Sequence, residues 1–280
     1  MTDPNARDEM AALVRAAAAG DGDAVRGVVD AVQDPVYRLA LRMLGHPADA
    51  EDAAQEIVVI VVTHLGSFRG ESAFMTWVWR IAANHLARVK RGRREVLALD
   101  VLDERLRTGL GDEPDPADPE AELLTRELRL RCTEAMILCL DRELRIAYLL
   151  GDIFELSGAD ASAVLDIEPA AYRKRLSRAR RLLHGFVRSW CGVYDPANPC
   201  RCSRQVACAV ERGILDRSEL SFSAHPVRPP RAAIERATDE VTEMFRVAQL
   251  LRHPDYRAPD AMVARIRSLL DARRLELLLH

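Results

Sequence analysis

Apolar residues recur at three- and four-residue intervals through most of this chain, broken by short polar turns, a pattern that predicts helices rather than strands. The first predicted helices span Arg7–Ala19 and Asp23–Val32. Asp34 and Pro35 then read as cap and first helical position of a further helix, Val36–Leu44. Gly45-His46-Pro47 ends it, and the next helix runs from Ala48 towards Leu65 through the aliphatic stretch Ile57–Val62. After the polar turn Gly66–Ser72, a helix from Ala73 to about Arg91 places Phe74, Trp77 and Ile81 on one face, expected to point inwards. Glu95–Glu122 changes character. Nine acidic residues lie between Asp100 and Glu122, with Pro114, Pro116 and Pro119 among them, so the segment reads as a linker with at most a weak helix over Leu97–Leu110. Helical periodicity resumes from Ala121 to about Trp190, Cys191–Cys208 reads as loop, and Ser218–Arg231 as a Pro-containing connector. Ala232–Leu251 and Pro259–Leu279 then form a terminal pair, with apolar stripes at Met244, Val247, Leu250 and Leu251, and at Val263, Ile266, Leu269 and Leu270. The boundaries expected from this pattern are 1–94, 95–122, 123–190, 191–217 and 218–280.

Composition narrows the class. Of 280 residues, 49% are hydrophobic and 30% charged, and the net charge of −3 argues against a uniformly basic coat. The charge is segregated instead: Arg88–Arg94 and Arg173–Arg181 are basic and Asp100–Glu122 acidic, so a local basic face can still attract phosphates. The first apolar stretch, Met10–Ala19, has acidic residues ahead of it and Arg15 inside it, unlike a secretory signal. The run Ile57–Val62 is too short to span a bilayer. A cytoplasmic protein with no membrane partner is expected, its six cysteines being thiols or metal ligands rather than disulfides.

The densest chemistry lies in Tyr172–Leu182, where six of eleven side chains are cationic on a segment without internal Gly or Pro. Alone, such a run is usually a solvated helix face. Here it follows a helix, a turn around Ser157-Gly158 and a second short helix, the order of a helix-turn-helix whose last helix enters the DNA major groove. In the first domain, Asp49, Glu51, Asp52, Gln55 and Glu56 crowd the start of one helix, with Asp52 and Glu56 on one face. They read as a solvated acidic face or a surface that docks a basic protein, and less well as a carboxylate metal site, for which no His-containing partner motif exists. Further along, Phe68, Phe74, Trp77 and Trp79 interleave with Arg69, Arg80, Asn84, His85 and Arg88, a composition suited to stacking unpaired bases beside phosphates.

These strings resemble the extracytoplasmic-function group of bacterial RNA polymerase sigma factors. Asp-Ala-Glu-Asp-x-x-Gln-Glu at Asp49–Glu56, Phe-Arg-Gly at Phe68–Gly70, Trp-x-x-Arg-Ile-Ala-x-Asn at Trp77–Asn84 and Arg-Leu-Ser-Arg-Ala-Arg-Arg-Leu at Arg175–Leu182 occur in that group's order and spacing. The resemblance covers about Gln33–Arg94 and Leu123–Val187. It implies an all-α protein: a region 2-like domain (1–94), an acidic linker (95–122), a region 4-like helix-turn-helix domain (123–190), then a Cys-rich loop and a C-terminal helical extension outside the usual layout. It further implies that Asp49, Glu51, Asp52, Gln55 and Glu56 bind the β′ clamp of core RNA polymerase. The −10 element would meet Ser67, Phe68, Arg69, Trp77, Arg80, Asn84, His85, Arg88 and Arg91. The −35 element would meet Tyr172, Arg173, Lys174, Arg175, Arg178 and Arg181, with the second domain on the β flap. The linker would thread the polymerase active-site cleft and RNA exit channel. The aliphatic Ile57–Val62 and the Glu168–Tyr172 entry to the basic helix depart from the group's usual residues.

Cys191, Cys200, Cys202 and Cys208 fall within eighteen residues and are candidates for a structural zinc site, with His184 as a substitute ligand, although Cys-x-Cys is not the usual spacing. A redox-sensitive cluster and packed free thiols are the alternatives, Cys132 and Cys139 reading as core; no cofactor is required. The extension could pack on the second domain, the simplest arrangement, cover the DNA-binding surface or bind a partner, and it could act as an intramolecular regulator in place of a separate anti-sigma factor. A stand-alone helix-turn-helix regulator is the second function class; it has no need of the acidic string or the stacking platform. A metal-dependent enzyme is disfavoured, since the chain lacks a Gly-rich phosphate loop, a nucleophile motif and His-Glu-x-x-His.

Overall fold

The computed structural model describes residues 4–89, 98–112, 119–218, 220, 222, 247–252 and 255–271. Among these the architecture is all-α, and extended pairing is confined to an isolated bridge between Cys191 and Cys200. Helices α1 (Pro4–Ala18), α2 (Gly22–Leu44), α3 (Pro47–Thr63) and α4 (Phe74–Arg88) form the first domain. The linker carries α5 (Leu99–Thr108). The second domain contains α6 (Pro119–Leu138), α7 (Arg142–Tyr148), α8 (Gly158–Leu165) and α9 (Pro169–Trp190), followed by α10 (Cys202–Glu211) and α11 (Asp260–Asp271).

The two helices expected around Asp34-Pro35 are one. Asp21 caps α2, its carboxylate accepting from the N–H groups of Asp23 at 2.9 Å and Ala24 at 3.1 Å, and Pro35 lies inside the helix. An interior proline costs about 3 kcal/mol in an isolated helix. Here Val32, Val36, Tyr37 and Leu39 on either side of it are completely buried, each worth about 1.5–3 kcal/mol, so packing outweighs the break. Asp34 therefore has no cap to make; it is buried, and its Oδ1 accepts from the N–H of Ala258 at 3.0 Å. At the end of α2, Gly45 adopts φ 71° and its N–H bonds Leu41 O at 2.7 Å. A side chain there would also run into Leu138 of α6, so both backbone and space require glycine.

The core stripe of α4 is rotated from the one expected. Val78, Ala82 and Leu86, with Phe74 and Trp79, are buried, while Trp77 and Ile81 are half-buried at the edge. Trp79 faces the second domain, its ring 4.7 Å from that of Phe154. The two domains thus share one core, α4 packing on α8 and α2 on α6.

A buried ion pair lies at this junction, Arg42 Nη1 of α2 standing 3.4 Å from Glu134 Oε1 of α6. Burial raises the Glu134 pKa, and the opposing pull of Arg42 is smaller. A carboxyl harder to ionise in the folded chain contributes stability at low pH that is lost as pH rises through its folded pKa. Glu134→Gln is therefore expected to flatten the decline of the thermal midpoint with rising pH. Calorimetry across the acid-to-neutral range checks this, and an unchanged slope would assign the decline to other groups.

The described parts of the linker and of the Cys-rich segment are more ordered than their composition suggests. Helix α5 docks on α10, with Gln205 Nε2 donating to Leu106 O at 2.6 Å and Arg204 Nε to Gly111 O at 2.6 Å. The Arg107 guanidinium sits 4.2 Å from the Trp190 ring centroid. Cys202–Glu211, expected as loop, is helical because Val206 and Ala209 have an apolar partner in Leu124 and Leu128 of α6. The connector 218–231 falls almost entirely, and residues 232–246 and 272–280 of the terminal pair fall wholly, outside the described residues.

Candidate nucleic-acid interface

The helix-turn-helix is complete. After α7 the chain continues through a π-helical turn, Leu149–Ile153, to Glu155 at φ 58°. Ser157 caps α8 by accepting from the Asp160 N–H at 3.1 Å, and Asp166 turns the chain towards α9 at φ 51°. Gly151 is needed where the Tyr172 hydroxyl crosses the π-turn, since a Cβ there would clash with it.

Helix α9 has two faces. Ala179, Leu183 and Val187, four apart, are buried with Tyr172. On the opposite side Lys174, Arg178 and Arg181 recur at i, i+4 and i+7 and are exposed, as is Arg173. Arg175 is half-buried and pairs with Glu143 at 2.9 Å. Arg180 is turned inwards and grips Asp152 with two bonds, Nε to Oδ2 at 2.9 Å and Nη2 to Oδ1 at 2.6 Å.

Tyr172, expected at the DNA, belongs to the core. It is 1% exposed and its hydroxyl donates to Ala147 O at 3.1 Å. The i, i+7, i+11 spacing to Ala179 and Leu183 carried that signal. Tyr172→Phe is expected to cost about 1 kcal/mol of stability through the lost hydrogen bond while leaving DNA affinity unchanged; paired melting and DNA titration measure both. His184 is also core, with Nε2 3.4 Å from the Tyr148 hydroxyl and its pKa lowered by burial. It stacks edge-on with Tyr148 rather than joining the cysteines.

In the first domain Phe68, Phe74 and Trp77 form a cluster with centroids 5.5–5.8 Å apart. Ser67 Oγ donates to His64 O at 2.7 Å, bracing the loop that presents exposed Arg69. Asn84 and Arg88 are exposed on α4, and His85 Nε2 lies 3.3 Å from Glu56 Oε2 on α3. Arg80 Nη2 donates to Ala163 O of α8 at 2.9 Å. Arg91 lies outside the described residues. On α3, Asp49, Asp52 and Glu56 are exposed, whereas Glu51 and Gln55 are half-buried and both meet Arg265 of α11.

The cysteines do not assemble as a metal centre: among the described residues no group of three or more His, Cys, Asp or Glu side chains is placed to hold an ion. Cys132, Cys200, Cys202 and Cys208 instead line an apolar cavity of about 120 Å³ between α5, α6 and α10. Burial pushes the Cys200 thiol up to about 11 and raises Cys132 and Cys202, which keeps these thiols protonated and unreactive near neutrality.

An all-α chain with a complete helix-turn-helix and an exposed cationic third helix is a DNA-binding transcription protein. Its sequence matches the Sigma-70 region 2 profile over residues 28–96 and the Sigma-70, region 4 profile over residues 130–183. It is 32% identical over 182 residues to the ECF RNA polymerase sigma-E factor of Haemophilus influenzae, covering 63% of this chain and 94% of the relative. It is 34% identical over 177 residues to the RNA polymerase sigma-H factor of Pseudomonas aeruginosa, covering 61% and 90%. Among solved structures, CnrH in complex with the cytosolic domain of CnrY is similar with a TM-score of 0.44 and 23% identity, over 63% of this chain and 95% of that one. The chain belongs to the extracytoplasmic-function group of RNA polymerase sigma factors and directs transcription initiation. About a third of it lies outside these alignments.

Proposed function

We propose that the protein acts without catalysing a reaction, by binding core RNA polymerase through α3 and reading a promoter through α4 and α9. The observation that carries this is the exposed cationic face of Lys174, Arg178 and Arg181 on the third helix of an intact helix-turn-helix, in a chain that also holds a region 2 domain. Arg173, Lys174, Arg178 and Arg181 contact the −35 element, with Arg175 adjoining once freed from Glu143.

Asp49, Glu51, Asp52, Gln55 and Glu56 form the surface for the β′ clamp. The aromatic loop around Phe68 with Arg69, and α4 with Arg80, Asn84, His85 and Arg88, take the −10 strand. Opening a duplex costs stacking and pairing energy; a surface that binds unstacked bases favours the open form by its differential affinity. Each stacked base is worth about 1–3 kcal/mol. Negative charge on the linker suits a channel built for nucleic acid, and the second domain docks on the β flap. The setting of this reading is the cytoplasm, where core polymerase and promoter DNA meet. No cofactor is needed. Regulation falls to an anti-sigma partner or to the extension.

Transcription with bacterial core polymerase on a promoter library, with and without the protein, tests the reading. Protein-dependent starts sharing two upstream motifs are expected. Neither starts nor core binding would overturn it in favour of a stand-alone DNA-binding regulator.

A further inference from the structure

The extension does not simply add to the second domain. Its described parts, 247–252 and 255–271, lie across the first domain and reach the helix-turn-helix. Val247, Leu251, Tyr256, Met262 and Ile266 are buried in the shared core. Arg42 of α2 donates from Nη1 to Leu251 O at 2.6 Å and from Nη2 to Arg252 O at 2.7 Å, capping the carbonyl end of the stretch 247–252. On the other side, Arg252 donates to Asp152 O at 2.6 Å and to Glu155 Oε1 at 2.5 Å, in the turn of the helix-turn-helix. One short segment therefore ties α2 to the DNA-reading motif.

Three arginines of the extension face three carboxylates of the first domain. Arg267 Nη2 is 3.2 Å from Asp30 Oδ1, Arg257 Nε is 3.9 Å from Asp34 Oδ2, and Arg265 Nη2 is 3.0 Å from Glu51 Oε2. Arg265 Nε also donates to Gln55 Oε1 at 3.1 Å. Glu51 and Gln55 belong to the surface assigned above to polymerase. A partner that recognises a carboxylate beside an amide must bring donors of the kind Arg265 already supplies. Arg80 stays exposed in this arrangement while its Nη2 donates to Ala163 O of α8.

We propose that α11 is a built-in competitor for the polymerase-binding surface of α3, so that the protein must release its own C-terminal segment before it can join polymerase. This rests on the assignment of α3 as the polymerase-facing helix. In the closed form, Lys174, Arg178 and Arg181 stay exposed, so duplex binding by α9 is not masked. The closed chain is competent for upstream DNA and blocked for polymerase. The docked apolar residues supply most of the hold, and the exposed arginine pairs set register.

The test uses the full chain and purified core polymerase. Arg265→Glu removes the contact to Glu51 and adds repulsion, and is expected to tighten core binding about fivefold. Ile266→Asp places a charge in the docking face and is expected to tighten it tenfold or more, with faster amide exchange in α11. Affinity for an upstream duplex should stay unchanged in both, and circular dichroism reports whether the Asp variant remains folded. Core affinity that is unchanged or weaker in both variants overturns the competition. Glu51→Ala placed in the Arg265→Glu background, which removes the carboxylate without restoring an ion pair to α11, separates the two levels. Loss of core binding there upholds α3 as the polymerase surface even if masking fails, whereas no effect overturns the assignment on which masking rests.

Discussion

Replacing Arg145 with alanine is expected to destabilise the protein by about 3–5 kcal/mol, the cost of stripping a buried charge from its hydrogen-bonded site. Arg145 is 1% exposed. Its Nη2 donates to Leu138 O at 2.8 Å and Leu140 O at 2.9 Å, and its Nη1 to Met43 O. Met43 lies in the last turn of α2 and Leu138 ends α6, so one guanidinium meets the carbonyl ends of two helices from different domains. Alanine leaves these buried carbonyls without that donor. At about 2–4 °C per kcal/mol for a chain of this size, the thermal midpoint should fall by about 6–20 °C. Lysine should restore only part, because an ammonium cannot span the fork. Calorimetry of the three proteins decides it; a drop of under about 1 kcal/mol for alanine would mean the junction is held elsewhere.

The second large effect is functional. Lys174→Ala with Arg178→Ala is expected to weaken upstream duplex binding about a hundredfold, from two contacts worth about 1–3 kcal/mol each. The slope of log affinity against log salt should become shallower by about 2. Both side chains are exposed on α9, so the thermal midpoint should hold. Arg180→Ala is the contrasting control. Its side chain grips Asp152, so it should cost stability instead of removing a DNA contact. Binding titrations at several salt concentrations measure both, and a double variant that binds like the parent would remove α9 from the interface.

Much of this was legible in the chain. The helical class followed from apolar spacing, and the helix-turn-helix from a turn around Ser157-Gly158, a second short helix and a basic run, because local propensity and tertiary packing agree there. Tyr172 was expected at the DNA because the resemblance assigns the whole basic helix to it, while its depth shows only when Ala179 and Leu183 are put on the same face. Pro35 misled for the opposite reason. Its local rule is strong, yet burial on both sides of it is stronger, and burial is a property of what packs on the helix. The fold of α10 likewise depended on an apolar partner in α6, far away in sequence.

The sequence by itself determined the residues that define this protein as a sigma factor, because caps, periodicity and charge runs act over a few positions and are written in order. Only the tertiary structure decided that the extension lies on α2 and α3, that Arg265 meets Glu51, and that two domains share a core through Arg42 and Arg145. Those contacts join residues far apart along the chain, and their energy comes from burial and charge pairing, which neither partner's local sequence can specify alone.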